Sequence, residues 1–166
     1  YTSLQSALDT ASAGAQVWVA KGTYYPDEGA NVTDGDSTAS FTMTDSVAVY
    51  GGFAGTENDV DERDVRAHPT TMSGDINQDG TTHSDHVVVA DSTVSHRARL
   101  DGFIVRSGGG AENGGGVFVN KGGLSVVRTT FVDNDATFGG GLSAATADTV
   151  IVSHSRFVGN HAADYG

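Results

Sequence analysis

The sequence predicts an all-β protein built as a solenoid of short strands and turns, with one short helix at the start of the chain. Val and Thr contribute 20 and 18 of the 166 residues, whereas Leu and Ile together contribute 8. Branching at Cβ suits a side chain to strands, so this composition favours a sheet and disfavours a helical bundle. The 23 glycines cluster in triplets. Finally, the second half of the chain repeats at a fixed spacing, as solenoids do.

The first residues predict a helix that caps the sheet. Residues 2–5 fit a capping box, Leu4 and Leu8 belong to one apolar stripe, and Gly14 supplies a left-handed stop. Residues 16–20 then alternate with the period of two that is typical of a strand. A helix followed at once by a strand indicates a cap that leads into a sheet.

The later part of the chain carries the repeat. Residues 124–134 align with residues 150–160 without a gap, which places Phe157 opposite Phe131, and Phe103 precedes Phe131 by an interval only slightly longer. The glycine triplets repeat at nearly the same interval, each followed by a short strand pattern. A period in the twenties that contains only strands and turns predicts stacked coils, with Phe over Phe and Asn over Asn. A sandwich with similar hairpins is the alternative.

These patterns predict one domain over residues 1–166. Residues 1–14 would form the capping helix, residues 15–97 irregular early coils with long loops, and residues 98–166 regular coils of about 26 residues. The chain stops where the next Gly-Gly strand should begin. We therefore expect it to be a fragment of a longer protein, whose partners are its own further C-terminal coils or a second copy joined end to end.

Charge excludes several classes of partner. Nine Lys and Arg against 21 Asp and Glu give a net charge of −12, which would repel nucleic acid and anionic lipid. No apolar stretch approaches the length of a membrane span, so membrane insertion is not expected. The absence of Cys excludes disulfides and thiolate metal sites. The 17 Asp against 4 Glu favour turns and sites for hard cations such as Ca²⁺.

One segment resembles the first half of a calcium loop. Asp75, Asn77 and Asp79 place oxygen ligands at positions 1, 3 and 5, with Gly80 at position 6. The twelfth position lacks the expected Glu, and Asp85 stands at the eleventh, so a site would need a rearranged second half. We predict a Ca²⁺ site from these four side chains; ordinary turn chemistry is the alternative.

Four segments carry a resemblance to a known family. They are Leu-Gln-Ser-Ala-Leu at residues 4–8, Val-Trp-Val-Ala-Lys-Gly-Thr-Tyr at 17–24, Gly-Gly-Phe-Ala-Gly-Thr-Glu at 51–57 and Ser-Gly-Asp-Ile at 73–76. The chain resembles right-handed parallel β-helix proteins of the pectin-lyase-like fold, in particular secreted bacterial ones. Its later repeats are similar to those of polymorphic outer-membrane and autotransporter adhesins. The resemblance implies a right-handed β-helix on a secreted or cell-surface protein.

The acidic run at residues 57–66 has two interpretations. It could supply a second cation site or a surface that faces polysaccharide, but a solvated loop with internal Asp–Arg pairs is the simpler prediction. In the resembling family the Glu and the Arg-Asp of this segment recur beside the Gly-Gly-Phe turn. That recurrence implies that Glu57, Arg63 and Asp64 hold the loop.

An enzyme of this fold would need carboxylates grouped on one face. The candidate catalytic residues are Arg99, Asp101 and Arg106, because they lie on the only strand pattern with both signs of charge or just after it. Asp101 beside arginines would be held ionised and would be a poor base. Catalysis is therefore the weaker hypothesis.

The sequence favours a non-catalytic extracellular or cell-surface module, either a structural stalk, an adhesion segment or a ligand-binding segment of a larger secreted protein. A fragment of a polysaccharide lyase or glycoside hydrolase is one alternative. A carbohydrate-binding accessory module is another, with Trp18, Tyr24 and Tyr25 as candidate aromatic platforms. Polysaccharide is the ligand expected of either alternative.

Overall fold

The computed structural model describes residue 1 and residues 3–29, 32–110 and 112–165. The chain is all-β with one short α-helix, α1 (Leu4–Thr10). In chain order, the strands are β1 (Gln16–Ala20), β2 (Gly22–Tyr24), β3 (Phe41–Thr42), β4 (Ala48–Phe53), β5 (Thr70–Ser73), β6 (Asp75–Ile76), β7 (Thr82–His83), β8 (Val88–Ala90), β9 (Arg99–Asp101), β10 (Phe103–Arg106), β11 (Val117–Asn120), β12 (Gly123–Val127), β13 (Thr130–Val132), β14 (Asp135–Phe138), β15 (Leu142–Ala145), β16 (Thr149–Ser153), β17 (Arg156–Val158) and β18 (His161–Tyr165).

Helix α1 forms where the sequence predicts it. Ser3 is its N-cap and accepts a hydrogen bond from the backbone N–H of Ser6 at 3.2 Å. Thr2, the first residue of the predicted capping box, lies outside the described residues. Leu4 and Leu8 are buried in the main hydrophobic cluster, so the helix packs on the sheets through its apolar stripe. No helix in the described part of the chain has the length and apolar character to cross a membrane.

Most strands belong to three parallel sheets, among the residues that the structure describes. Their strand orders are β1-β4-β9-β12-β16, β17-β13-β10-β5-β2 and β15-β11-β8-β3. Strands β14 and β18 form a further parallel pair, and β6 and β7 form an antiparallel hairpin. From β9 onward the chain visits the first, second and third sheets in turn and then begins again at β12. Strands that are neighbours in a sheet are therefore distant in sequence.

The sequence repeat predicts the register between the later strands, and the structure shows that register. Strand β12 pairs with β16 and β13 pairs with β17 in the register of the sequence alignment, and the rings of Phe131 and Phe157 stack with centroids 4.5 Å apart. The placement of Phe103 in this series is wrong. Val105 pairs with Phe131, whereas Phe103 pairs with Thr70, because β10 and β13 keep the same offset as β13 and β17.

Asparagines form a second stack, as the sequence predicts. Asn134 is buried, and its Nδ2 donates to the Val105 carbonyl at 3.0 Å and to Asn160 Oδ1 at 2.8 Å. Asn160 Nδ2 donates in turn to the Phe131 carbonyl at 3.0 Å. These side chains satisfy backbone groups where the chain turns out of the second sheet, so the turns stack in register with the strands.

The two ends of the sheets differ. At one end α1 covers apolar side chains beside β1 and β3. At the other end β16 and β17 are the outermost strands of their sheets. There Ile151, Val152, Phe157 and Val158 are exposed. This edge, called the β16–β17 edge below, presents unpaired backbone groups together with apolar side chains.

Candidate functional site

A buried carboxylate surrounded by arginines lies at the end of β9. The Asp101 side chain is wholly buried and accepts hydrogen bonds from three guanidinium groups. Arg63 Nη2 donates to its Oδ1 at 2.8 Å, and Arg99 donates through Nε and Nη2 to Oδ2 at 2.9 and 2.6 Å. Arg128 donates through Nε to Oδ1 at 3.0 Å and through Nη2 to Oδ2 at 2.8 Å. We call these four residues the arginine cluster.

The four members of the cluster come from three parts of the chain. Arg99 and Asp101 are two residues apart on β9 and share a face, as period-two alternation predicts. Arg128 follows β12, whose last residue pairs with Asp101, and its backbone has a φ of 47°. Arg63 follows the 3-10 turn Val60–Glu62, and its Nη1 also donates to the Gly51 and Asp101 carbonyls. The cluster therefore connects the long loop between β4 and β5, residues 54–69, to the paired strands β9 and β12.

The charges in the cluster do not balance. Three guanidinium groups face one carboxylate, which leaves an excess of two positive charges in a protein of net charge −12. Burial alone would raise the pKa of Asp101, but the hydrogen bonds from Arg63, Arg99 and Arg128 outweigh it and lower the pKa. The Arg63 guanidinium also lies over the Tyr50 ring, 4.9 Å from its centroid. An ionised Asp101 that accepts five donors is a poor general base.

The structure brings together two of the three predicted catalytic residues. Arg99 and Asp101 are in contact, whereas Arg106 ends β10, is exposed, and donates through Nε to Ser107 Oγ at 3.2 Å. The sequence interpretation missed Arg63 and Arg128. The observed register sets Val127 beside Asp101, so an alignment that matched Phe131 with Val105 instead of Phe103 could have found Arg128.

The acidic run holds its own loop, as the resemblance implies. Glu57 accepts the backbone N–H groups of Ala54 at 2.7 Å and of Gly55 and Thr56 at 2.9 Å, and these bonds lower its pKa from 4.5 to about 2. The prediction of Asp–Arg pairs inside the run is wrong for Arg63, because its partner is Asp101, 38 residues along the chain. A short spacing in sequence does not select an ion-pair partner when a buried carboxylate is within reach.

The predicted calcium loop forms the β6–β7 hairpin. Asp75 Oδ1 accepts the backbone N–H of Gly80 at 2.7 Å. Asp79 Oδ1 accepts those of Thr81 at 2.8 Å and Thr82 at 3.0 Å. These contacts are those of ordinary turns closed by aspartate side chains. Each carboxylate keeps an oxygen, Oδ2, outside these bonds.

Of the other two predicted ligands, Asn77 lies in the turn of this hairpin and Asp85 follows β7. Asn77 is close to Gly35, and Asp85 donates its backbone N–H to the Ser37 carbonyl and has its carboxylate beside Gly110. In the described ranges, no group of three or more His, Asp or Glu side chains is arranged to hold a metal ion. The calcium assignment stays a prediction.

A buried aspartate near the hairpin was missed from the sequence. Asp27 is 4 % exposed, and its Oδ2 accepts the backbone N–H of Gly35 at 3.2 Å. Its Oδ1 is buried and has no hydrogen-bond partner among the residues that the structure describes. Gly35 links Asp27 to the neighbourhood of Asn77. Only tertiary folding joins these segments, so no local spacing could have identified Asp27.

The aromatic candidates for sugar binding differ in how far their side chains are exposed to solvent. Trp18 on β1 is 39 % exposed and stacks on Phe53, with ring centroids 4.9 Å apart. Tyr24 is partly buried, and its hydroxyl donates to the Ala20 carbonyl. A cavity of about 580 Å³ lies between α1 and β1, with Trp18 and Tyr24 in its lining. One exposed indole is a smaller platform than a stripe of aromatic rings.

Comparison of the chain with models of protein families, with characterised proteins and with solved structures finds no match. The fold class therefore rests on the observed strand pairing. The function must be argued from the arginine cluster, the hairpin at residues 75–83 and the surfaces beside them.

Proposed function

We propose that the chain is a right-handed parallel β-helix that serves as a non-catalytic module of a larger secreted or cell-surface protein. The strand order supports a coiled path, because the chain visits three parallel sheets in turn at a nearly constant register. Parallel β-connections that cross over are almost always right-handed. The motif resemblance supports the extracellular location.

The state of Asp101 carries the non-catalytic assignment. A lyase of this fold would need a free base, and a hydrolase would need two or three neighbouring carboxylates. Asp101 accepts five N–H groups and stays ionised, so it offers neither a proton nor a free lone pair to a substrate. This arrangement favours a structural and ligand-binding role over a lyase or hydrolase fragment.

Trp18 favours a second candidate function, that of a carbohydrate-binding accessory module. Its indole is exposed on one face and supported by Phe53 on the other. A supported, exposed ring is the kind of surface on which sugars stack. The cavity between α1 and β1 lies beside it.

Two further features belong to this proposal. The β16–β17 edge would be covered by further coils of the parent protein or by a second copy joined end to end. A Ca²⁺ ion bound at the β6–β7 hairpin by Asp75, Asn77, Asp79 and Asp85 is the second feature. The Asp27 Oδ1, which is buried without a hydrogen-bond partner among the described residues, supports a cation near this hairpin, because a polar oxygen without a partner is costly to bury.

The enzymatic alternative is tested by incubation with polygalacturonate, alginate and neutral plant polysaccharides. We expect neither unsaturated products that absorb in the ultraviolet nor new reducing ends. Arg99→Ala and Asp101→Ala serve as matched variants. Turnover by the wild type that either variant abolishes would contradict the non-catalytic module.

A further inference from the structure

Three successive coils place the same kind of turn side by side. Gly102, Arg128 and His154 each lie two residues before a residue of one paired row, formed by Ile104, Thr130 and Arg156. All three have positive φ, at 85°, 47° and 53°. Two of these three turn residues, Arg128 and His154, carry side chains. They are therefore neighbours at about the 4.8 Å spacing of paired strands.

These two side chains line a cavity of about 450 Å³ that opens beside the arginine cluster. Arg66, from the long loop, lines the same cavity. The rest of the lining is apolar or hydroxyl-bearing, including Ile104 and Thr130. In the described part of the chain, no Asp or Glu lines this cavity, although the protein has 21 acidic residues.

The positive groups at this cavity are only partly paired with carboxylates. No carboxylate forms an ion pair with the Arg66 side chain among the described residues. Arg128 shares Asp101 with two other guanidinium groups, and its side chain is 48 % exposed. The cavity thus combines an unpaired Arg66 with the excess charge of the arginine cluster. Because guanidinium groups bind oxyanions through paired N–H donors, a single anionic group fits here.

The adjoining surface has the opposite character. A second cavity of about 500 Å³ shares Arg66 and Arg128 with the first and is lined also by Asp61, Glu62 and Asp64. Carboxylates accept hydrogen bonds from hydroxyl groups but repel a continuous polyanion. A ligand that follows both cavities must therefore carry isolated anionic groups among hydroxyl groups.

We propose that this groove binds an acidic polysaccharide, with one uronate carboxylate or sulfate ester in the cavity lined by Arg66, Arg128 and His154 and sugar hydroxyls toward Asp61, Glu62 and Asp64. The inference rests on the proposed ligand-binding module and names its ligand class. Cavities of this size lie in the ordinary range for small-ligand sites. The stacked turns run across the coils, so an extended chain can follow them.

The test is a calorimetric titration in about 150 mM NaCl, where charges are screened over about 8 Å. The probes are trigalacturonate, its neutral methyl ester, a sulfated trisaccharide and inorganic sulfate. We expect saturable binding of trigalacturonate or the sulfated trisaccharide, depending on which group the cavity takes, and at least about tenfold weaker binding of the methyl ester and of free sulfate. Failure of both acidic trisaccharides to bind would overturn the proposal, as would equal affinity for inorganic sulfate.

Matched variants locate the site. Arg66→Gln should weaken binding by about tenfold, and His154→Asn, which keeps a residue tolerant of positive φ, by about threefold. Arg106→Gln removes an equal charge outside the groove and should change affinity by less than about twofold. Equal losses in Arg66→Gln and Arg106→Gln would show a diffuse charge effect and overturn the site. Unchanged thermal melting of Arg66→Gln separates lost binding from lost folding.

The same titrated samples are assayed for unsaturated products and reducing ends. Product release would contradict the non-catalytic module and leave the binding groove standing. A lack of binding without product release would overturn only the groove.

Discussion

At the scale of single residues, ion pairing around Asp101 joins parts of the chain that are distant in sequence. Arg63 contributes from a loop 38 residues before Asp101, and Arg128 contributes from 27 residues after it. A buried carboxylate is stable only while its partners remain, and removal of one partner leaves uncompensated charge. In this cluster the single anion holds three cations together, so Asp101 is its most sensitive member.

Asp101→Asn should therefore lower the free energy of unfolding by about 2 to 4 kcal/mol. This loss is smaller than the loss expected on breaking a fully buried ion pair, because the side chains of Arg99 and Arg128 are partly exposed. Chemical denaturation of the wild type and the variant measures the difference. Asp148→Asn removes an exposed carboxylate of the same size and is the control. A loss under about 1 kcal/mol would mean that the cluster contributes little to stability.

Glu57 predicts a pH dependence of stability. Its pKa is about 2 in the folded chain against an ordinary value of 4.5, because three backbone N–H groups hold the ionised form. As pH falls from 4.5 toward 2, the unfolded chain binds a proton that the folded chain does not, so stability falls. Glu57→Gln should reduce the slope of the free energy of unfolding against pH over this range. The reduction should correspond to at most about one bound proton. Urea titrations at several pH values measure the slope.

Glu112→Gln provides the control for this titration, because it removes an exposed Glu of equal charge. Its slope should follow that of the wild type. Parallel curves for the wild type and Glu57→Gln would contradict the role of the three backbone donors.

The sequence revealed only the local half of the arginine cluster. Period-two spacing places Arg99 and Asp101 on one face, and in the structure they are in contact and the pKa of Asp101 is lowered. Arg63 was assigned partners within its own acidic run, because sequence spacing shows nearby charges and not a buried carboxylate brought close by folding. Asp27 was missed for the same reason.

At the scale of elements, stacked identical side chains set the register between strands. Phe131 is buried with its ring on Phe157, and Asn134 and Asn160 bond to each other one turn further on. A slip by one residue would reverse the face of every side chain in β13 and β17, so the register is strongly specified. Local repetition was sufficient to predict this pairing. The register error at Phe103 arose because Phe was matched by identity, where Val105 fills the equivalent position.

Phe131→Ala should cost about 3 to 5 kcal/mol in the free energy of unfolding, because it empties a packed position between coils. Phe157→Ala should cost clearly less, since Phe157 is 50 % exposed and leaves no closed cavity. Denaturant titrations of both variants measure the two losses. Equal losses, or a loss under about 1 kcal/mol for Phe131→Ala, would contradict a stacked core at this position.

The proposed calcium site at the β6–β7 hairpin predicts a metal-dependent stability. If Ca²⁺ binds only the folded chain, millimolar calcium should raise the melting temperature of the wild type, and a chelator should lower it. Asp79→Ala loses its turn contacts in any buffer, so the informative quantity is the difference in melting temperature with and without calcium. That difference should vanish in Asp79→Ala.

Asp91→Ala is the matched control for the calcium experiment. Asp91 closes an Asp-x-Thr turn with the same contacts to a Thr hydroxyl and N–H as Asp79, but in another loop. It should keep the calcium response of the wild type. A wild-type melting temperature that calcium and chelator leave unchanged would remove the site.

At the scale of the whole molecule, composition and repetition were sufficient to predict the fold class. They did not predict strands β3, β6 and β7. The all-β class, the single helix and the strand at residues 16–20 are confirmed. Strand β3 and the β6–β7 hairpin lie in a region without a repeat, where two-residue strands leave no periodic signal. Their pairing depends on contacts such as those of Phe41 with Val88, which are distant in sequence.

The β16–β17 edge gives the last prediction. Strands β16 and β17 pair on one side only, and Phe157 presents its second face, beside Ile151 and Val152, to solvent. Unpaired backbone groups next to apolar side chains form a template for another strand, so the isolated chain should either pair through this edge or fray there. Pairing should give dimers or filaments whose proportion rises with concentration, and Ile151→Lys should reduce them by adding charge to the edge. Fraying should give fast hydrogen exchange in β16 and β17 while β12 and β13 stay protected. Light scattering that finds a monomer at high concentration, together with strong exchange protection of β16 and β17, would contradict both outcomes, because a stable lone edge needs neither a partner nor local opening.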